Sequence, residues 1–144
     1  MGRIINFRGL LDNDDIAKLR LGTNDGLKGY TIRKLELVGK TPGAQDSEAV
    51  VQVSSVPITT ASATVNFDDP TLLAVGVYTT NSASFNYPTT LFTIFDNVKF
   101  NQDIYVSLKC LQGNSVNYYL ELEQVTLDLN EATVATLKDM RGRE

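Results

Sequence analysis

Histidine is absent from the 144-residue chain, and cysteine occurs once, as Cys110. Without imidazole, the usual general base, the usual activator of a nucleophile and the commonest zinc ligand are all missing. One thiol and no imidazole cannot build a structural zinc site within one chain from the usual ligands. Carboxylates and lysines can still move protons, but no carboxylate pair and no nucleophile stands at a spacing that marks a site. The expectation is a protein that binds or assembles, not an enzyme, with no cofactor and no metal.

Two short motifs carry a trace of ligand chemistry. Asp12-Asn-Asp-Asp15 has the acidic opening of a calcium loop, but Lys18 and Thr23 fall where that loop offers oxygens, and its glycine is missing. A solvated loop ahead of a strand is the plainer expectation. Gly39-Lys-Thr41 has the end of a phosphate-binding loop, yet the upstream glycine position is Lys34 and no strong helix follows. Cys110 shares an apolar strand face with Val106 and Leu108, where a thiol packs as a small core residue.

Tyrosines and charges are the remaining candidates. Tyr105, Tyr119 and Tyr78 fall on the opposite strand face from the aliphatic residues, where they could cover a second layer, a subunit contact or a sugar. Cross-strand packing is the plainer reading, and a sugar platform would more often use tryptophan, which the chain lacks. Arg3, Arg8, Lys18 and Arg20 concentrate positive charge early, whereas Asp12 to Asp15 and Glu121 to Glu131 concentrate negative charge. Complementary patches of that kind suit self-assembly, although solvated faces are the plainer explanation. Glu121 and Glu123 alternate outward, either guarding an edge or meeting a basic partner.

These groups must be positioned by strands. Ala17, Leu19 and Leu21 alternate with Lys18 and Arg20, and Ala49, Val51 and Val53 repeat the pattern. Tyr30 to Val38 is strand-like with a slip between Ile32 and Leu35 that predicts a bulge. Thr64 to Phe67 reads as a short strand, Leu72 to Tyr78 as a central strand covered on both faces, and Leu91 to Phe95 as another. Thr79 to Thr90 reads as a long surface loop.

The clearest alternation is Ile104, Val106, Leu108 and Cys110, answered after a turn at Gln112-Gly-Asn-Ser by Val116, Tyr118, Leu120 and Leu122. It predicts a hairpin. The apolar phase then moves to Val125, Leu127 and Leu129, which predicts a bulge near Glu123 and Gln124 and a strand crossing between sheets. Asn130 is an N-cap candidate for a helix with Val134, Leu137 and Met140 on one stripe. About eight strands and one short C-terminal helix give an all-β, antiparallel β-sandwich, jelly-roll-like.

Length fits a single β-sandwich domain over residues 1–144. Apolar residues at 42% allow a core, and a net charge of -4 argues against general nucleic-acid binding. With one cysteine, no disulfide can close within one chain, and folding in a reducing cytosol is expected. No window reads as a signal peptide or a membrane span.

At Asn101-Gln-Asp-Ile-Tyr-Val, Asn117-Tyr-Tyr-Leu-Glu-Leu-Glu and Leu127-Asp-Leu-Asn-Glu-Ala-Thr-Val-Ala-Thr-Leu-Lys-Asp, the chain resembles small virion structural proteins of marine tailed bacteriophages. A further similarity lies at Leu21-Gly-Thr-Asn-Asp-Gly-Leu-Lys-Gly-Tyr. The resemblance implies a virion component, a capsid decoration or cement protein made in the host cytoplasm and carried on the capsid surface. Its partners would be the major capsid protein and copies of itself in a homotrimer. The residues expected to bind are Arg3, Phe7 and Arg8 in an arm within residues 1–12, Val134, Leu137 and Met140 in the segment 130–144, and Tyr105 and Tyr119. Two alternatives stand beside this reading. One is a tail, fibre or baseplate subunit using Thr79 to Thr90 as a receptor-facing loop. The other is a carbohydrate-binding sandwich with a tyrosine platform on the hairpin.

Overall fold

The structure, a computed structural model, describes residues 3–21, 27–41, 47–81, 85–127 and 136, with backbone only at 81 and 85–88. Among these residues eight strands form: β1 (Ile4–Leu11), β2 (Ile16–Leu19), β3 (Lys28–Gly39), β4 (Ser47–Ser54), β5 (Leu72–Asn81), β6 (Phe85–Ile94), β7 (Ile104–Cys110) and β8 (Val116–Thr126). They build a three-stranded sheet in the order β1-β8-β3 and a five-stranded sheet in the order β2-β7-β4-β5-β6, with every neighbouring pair antiparallel. The chain is therefore the antiparallel β-sandwich that the alternation predicts. Its winding is that of a jelly roll, except that β6 stays beside β5 instead of crossing to extend the sheet next to β3.

One hydrophobic core lies between the sheets. Phe7, Leu120 and Leu35 form one inward row across the small sheet, and Ile5, Leu122 and Ile32 form the next. Val53, Val106 and Ala17 answer from the large sheet. Ile104, Val106, Leu108, Val116, Leu120 and Leu122 are fully buried, and each such side chain contributes about 1.5–3 kcal/mol relative to exposure. At Gly76 the opposite layer comes so close that a Cβ would stand 2.9 Å from Leu37 Cδ1.

β7 and β8 form where the alternation places them, but they are not a hairpin. β7 lies between β2 and β4, and β8 between β1 and β3, so their apolar faces oppose one another across the core. Alternation fixes which side chains point inward but not which strand is the hydrogen-bonding neighbour. The connection turns at Gly113, whose φ of 79° suits a residue without a Cβ and whose N–H donates to the Cys110 carbonyl at 3.0 Å.

The slip in β3 is a bulge, as predicted: Ile32 pairs with Leu122 and Lys34 with Glu121, leaving Arg33 extra. Ile32 and Leu35 can then both face inward. No bulge interrupts β8, and β8 does not cross between sheets. Its phase change has another cause. Past Glu123 the strand runs beyond the end of β1, and Leu127, 2% exposed but outside the core cluster, packs over Gly29 on the outward side of the register, where a Cβ would stand 2.9 Å from the leucine side chain.

Further expectations are corrected. Residues 4–11 are not an arm but edge strand β1, zipped to β8 from Ile4↔Glu123 to Leu11↔Val116. Thr64 to Phe67 is not a strand; it belongs to the long connection between β4 and β5. Most of Thr79 to Thr90 is strand rather than loop, because β5 runs to Asn81 and β6 starts at Phe85. Pro88 is tolerated in β6 because that strand is at a sheet edge. Tyr78, expected on an outer face, belongs to the core between the sheets. Val134, Leu137 and Met140 lie outside the described residues. Thr136 is helical, and its Oγ1 accepts a hydrogen bond from Asn101 Nδ2 at 3.1 Å.

Candidate interaction face

The two sheets present different exteriors. Over the large sheet, the connection 55–71 folds back and is held by Gln52 Nε2, which donates to the carbonyls of Ser62 at 2.9 Å and Thr64 at 3.0 Å. Outward residues Ser54, Val75, Tyr105 and Ser107 are buried as a result. A small cleft of about 170 Å³ persists between sheet and connection, lined mainly by serine and threonine residues, among them Ser54, Thr60 and Ser107, together with Ile58, Asp69 and Leu72. Turns hold the connection's far end, where Asp69 Oδ1 accepts from the N–H of Thr71 at 2.9 Å and from its hydroxyl at 2.6 Å.

On the small sheet the described residues leave the end that carries Arg8 and Tyr119 uncovered, whereas at the other end Leu127 lies over Gly29 and outward-facing Thr31 is buried. The sheet's exterior is organised in rows set by strand register. Leu10, Asn117 and Val38 form one row, Arg8, Tyr119 and Glu36 the next, and Asn6, Glu121 and Lys34 a third. Leu10 is 44% exposed, Val38 53% and Ile4 50%, high values for large apolar side chains on a paired sheet. A shallow depression of about 420 Å³ lies over the first two rows, lined by Arg8, Leu10, Glu36, Val38, Asn117 and Tyr119.

Charges on this face are interlocked. The Tyr119 hydroxyl donates to Glu121 Oε2 at 3.0 Å, and this bond, followed by desolvation and the negative charge of Glu121, pushes the tyrosine pKa up. Lys34 Nζ sits 3.0 Å from Glu36 Oε1, and the hydrogen bond to that carboxylate, with its charge, holds the ammonium pKa above its ordinary value. Arg33 at the bulge reaches Glu123 at 3.4 Å. Arg8 makes no ion pair among the described residues. Exposed pairs of this kind add at most about 1 kcal/mol each to stability; their weight lies in what they present to a partner.

Of the residues expected to bind, the structure brings two together. Arg8 and Tyr119 are register partners on β1 and β8 and line the same depression. Arg3 is exposed just before β1, with its carbonyl accepting from Gln124 N–H at 2.7 Å. Phe7 points inward and packs against the core. Tyr105 lies on the outside of the other sheet and is 8% exposed, so Tyr105 and Tyr119 share no platform. Glu36, Val38, Leu10 and Asn117 were not singled out from sequence. Grouping them requires the pairing of β1 with β8, whereas alternation within each strand shows only that they point outward.

The acidic motif between β1 and β2 is a structural turn. Asp14, at φ 70°, meets Lys109 Nζ at 2.8 Å, Asn13 Oδ1 accepts the Cys110 N–H at 2.8 Å, and Asp15 Oδ2 accepts the Asp12 N–H at 2.9 Å. Among the described residues no group of three or more His, Cys, Asp or Glu side chains is placed to hold a metal ion. No helix among them is long and apolar enough to cross a membrane. In comparisons with known proteins, the chain matches no family model and no curated protein.

Proposed function

We propose that the chain is a structural protein of a tailed-phage virion, a decoration or cement protein that binds the major capsid protein and copies of itself on the head surface. The observation that carries this reading is the contrast between the exteriors. One sheet is sealed by its own connection, while the described residues leave the Arg8–Tyr119 end of the other open, with an apolar row beside a charged and aromatic one. A mixed face of that kind fits protein contact better than small-molecule chemistry, since interface cores favour aromatic and arginine side chains with a polar surround. The segments that resemble phage virion proteins include β8, the central strand of this face.

The test is localisation on purified particles by cryo-microscopy, paired with binding of the purified chain to heads that lack it. Density on the head lattice, and binding that falls when Tyr119→Ala and Val38→Asp are combined, is the expected result. A chain absent from particles would overturn the reading. Density confined to the tail would replace decoration by a tail role, one for which Thr79 to Thr90 no longer offers a long loop.

A further inference from the structure

We propose that the open face of the three-stranded sheet receives a second copy of this chain, packed face to face about a two-fold axis running along β8. The inference rests on the docking reading above for the choice of face, and it names the occupant. Charge and register on the two flanking strands match under this symmetry. Rotation by 180° about an axis lying between two such sheets and parallel to their strands keeps each residue at its own level and exchanges the two flanks. β1 of one copy then lies over β3 of the other. At the level of Tyr119, Arg8 meets Glu36 of the second copy, and Glu36 meets Arg8. One level along, Leu10 meets Val38 and Val38 meets Leu10. The row order positive, aromatic, negative is thus self-complementary, as an isologous contact requires.

Other placements lose this match. A two-fold axis lying across the strands would set Arg8 over Arg8 and Glu36 over Glu36. Packed sheets lie about 10 Å apart and cross at about 30°, so on flanking strands about 4.8 Å from the axis the matched residues are displaced by about 3 Å. Arginine and glutamate side chains can span that offset. Arg8, without an ion pair among the described residues, has a charge to offer, and Glu36 engages Lys34 through Oε1. The opposing feature is Glu121, which falls on the axis against its own copy with Tyr119 and Lys34 beside it.

Size sets the strength. Three strands about 4.8 Å apart and about eight residues of about 3.4 Å each give a face of about 14 by 27 Å. That is well below the ~800 Å² that each partner contributes to a standard interface. The contact is therefore weak in dilute solution and favoured where many copies are held close together, as on a lattice.

Sedimentation velocity of the purified full chain over a wide concentration range tests it. A monomer–dimer equilibrium is expected. Arg8→Glu and Glu36→Arg should each raise the dissociation constant about tenfold or more, and the double variant should return it close to the original value. Recovery in the double variant cannot come from misfolding, and circular-dichroism melts of the single variants provide the second check. A chain monomeric at every concentration, a trimer indifferent to the swaps, or a double variant no better than the single ones would overturn the two-fold contact. A chain that dimerises as described but is absent from virions would overturn the virion role alone.

Discussion

The Tyr78 ring on β5 lies directly over Gly39 on β3, where an added Cβ would stand 2.9 Å from the phenol oxygen. Tyr78 is 2% exposed, and its hydroxyl has no hydrogen-bond partner among the described residues. An unmet buried hydroxyl costs about 1–3 kcal/mol. Tyr78→Phe should therefore raise stability by about 1 kcal/mol. Gly39→Ala should lower it by about 1–3 kcal/mol through overpacking, and by less in the Tyr78→Phe background because part of the crowding is the oxygen itself. Urea denaturation of the original chain, the two single variants and the double variant measures both effects; strictly additive changes would contradict the account.

The bulge at Arg33 sets the phase of β3. Deleting Arg33 forces either Tyr30 and Ile32 or Leu35 and Leu37 to the exterior, so the deleted chain should fail to fold cooperatively. Arg33→Ala keeps the extra residue and loses only an exposed contact with Glu123, and should change stability by no more than about 0.5 kcal/mol. Thermal melts of the two variants separate a backbone role from a charge role.

Gln52 is the tether of the connection over the large sheet. Gln52→Glu preserves the shape but removes both donated hydrogen bonds, so the stretch 55–71 should become markedly more sensitive to a nonspecific protease while the global melt moves little. Mass mapping of the first cleavage site is the readout. Cleavage starting elsewhere at an unchanged rate would dismiss the tether.

Tyr119 should ionise late. Its proton is held by the bond to Glu121, so its folded pKa lies above the ordinary tyrosine value. The folded chain then keeps a proton that the unfolded chain has lost. The stabilisation is complete below the ordinary value and disappears as pH rises through the folded one. In ultraviolet titration, the phenolate step removed by Tyr119→Phe should sit at a higher pH in the original chain than in Glu121→Gln. An identical step in both backgrounds would sink this assignment.

Legibility followed the physics of alternation. The inward faces of β4 and β7, the Arg33 slip and the turn at Gly113 were all readable, because each leaves a local mark in residue types two apart. The partners of β7 and β8 were not, since two strands facing across a core and two strands side by side share the same alternation. β1 was missed although Ile5, Phe7 and Leu11 point inward, because Gly9 interrupts the apolar series where the Tyr118 ring needs the space. At the candidate face, Arg8 and Tyr119 were visible individually by charge and phase. Their adjacency, and the place of Glu36 beside them, depends on a register between distant segments.

The central position of β8 in the small sheet also orders events in time. Translation delivers β1 and β3 well before residues 116–126 emerge, at about 5–20 residues per second, and until then neither has its ladder partner. Their pairing closes long loops, so this sheet is the slow, late-forming half of the domain. A nascent chain consequently displays none of the three-residue rows, and recognition through them is confined to molecules whose synthesis has passed β8.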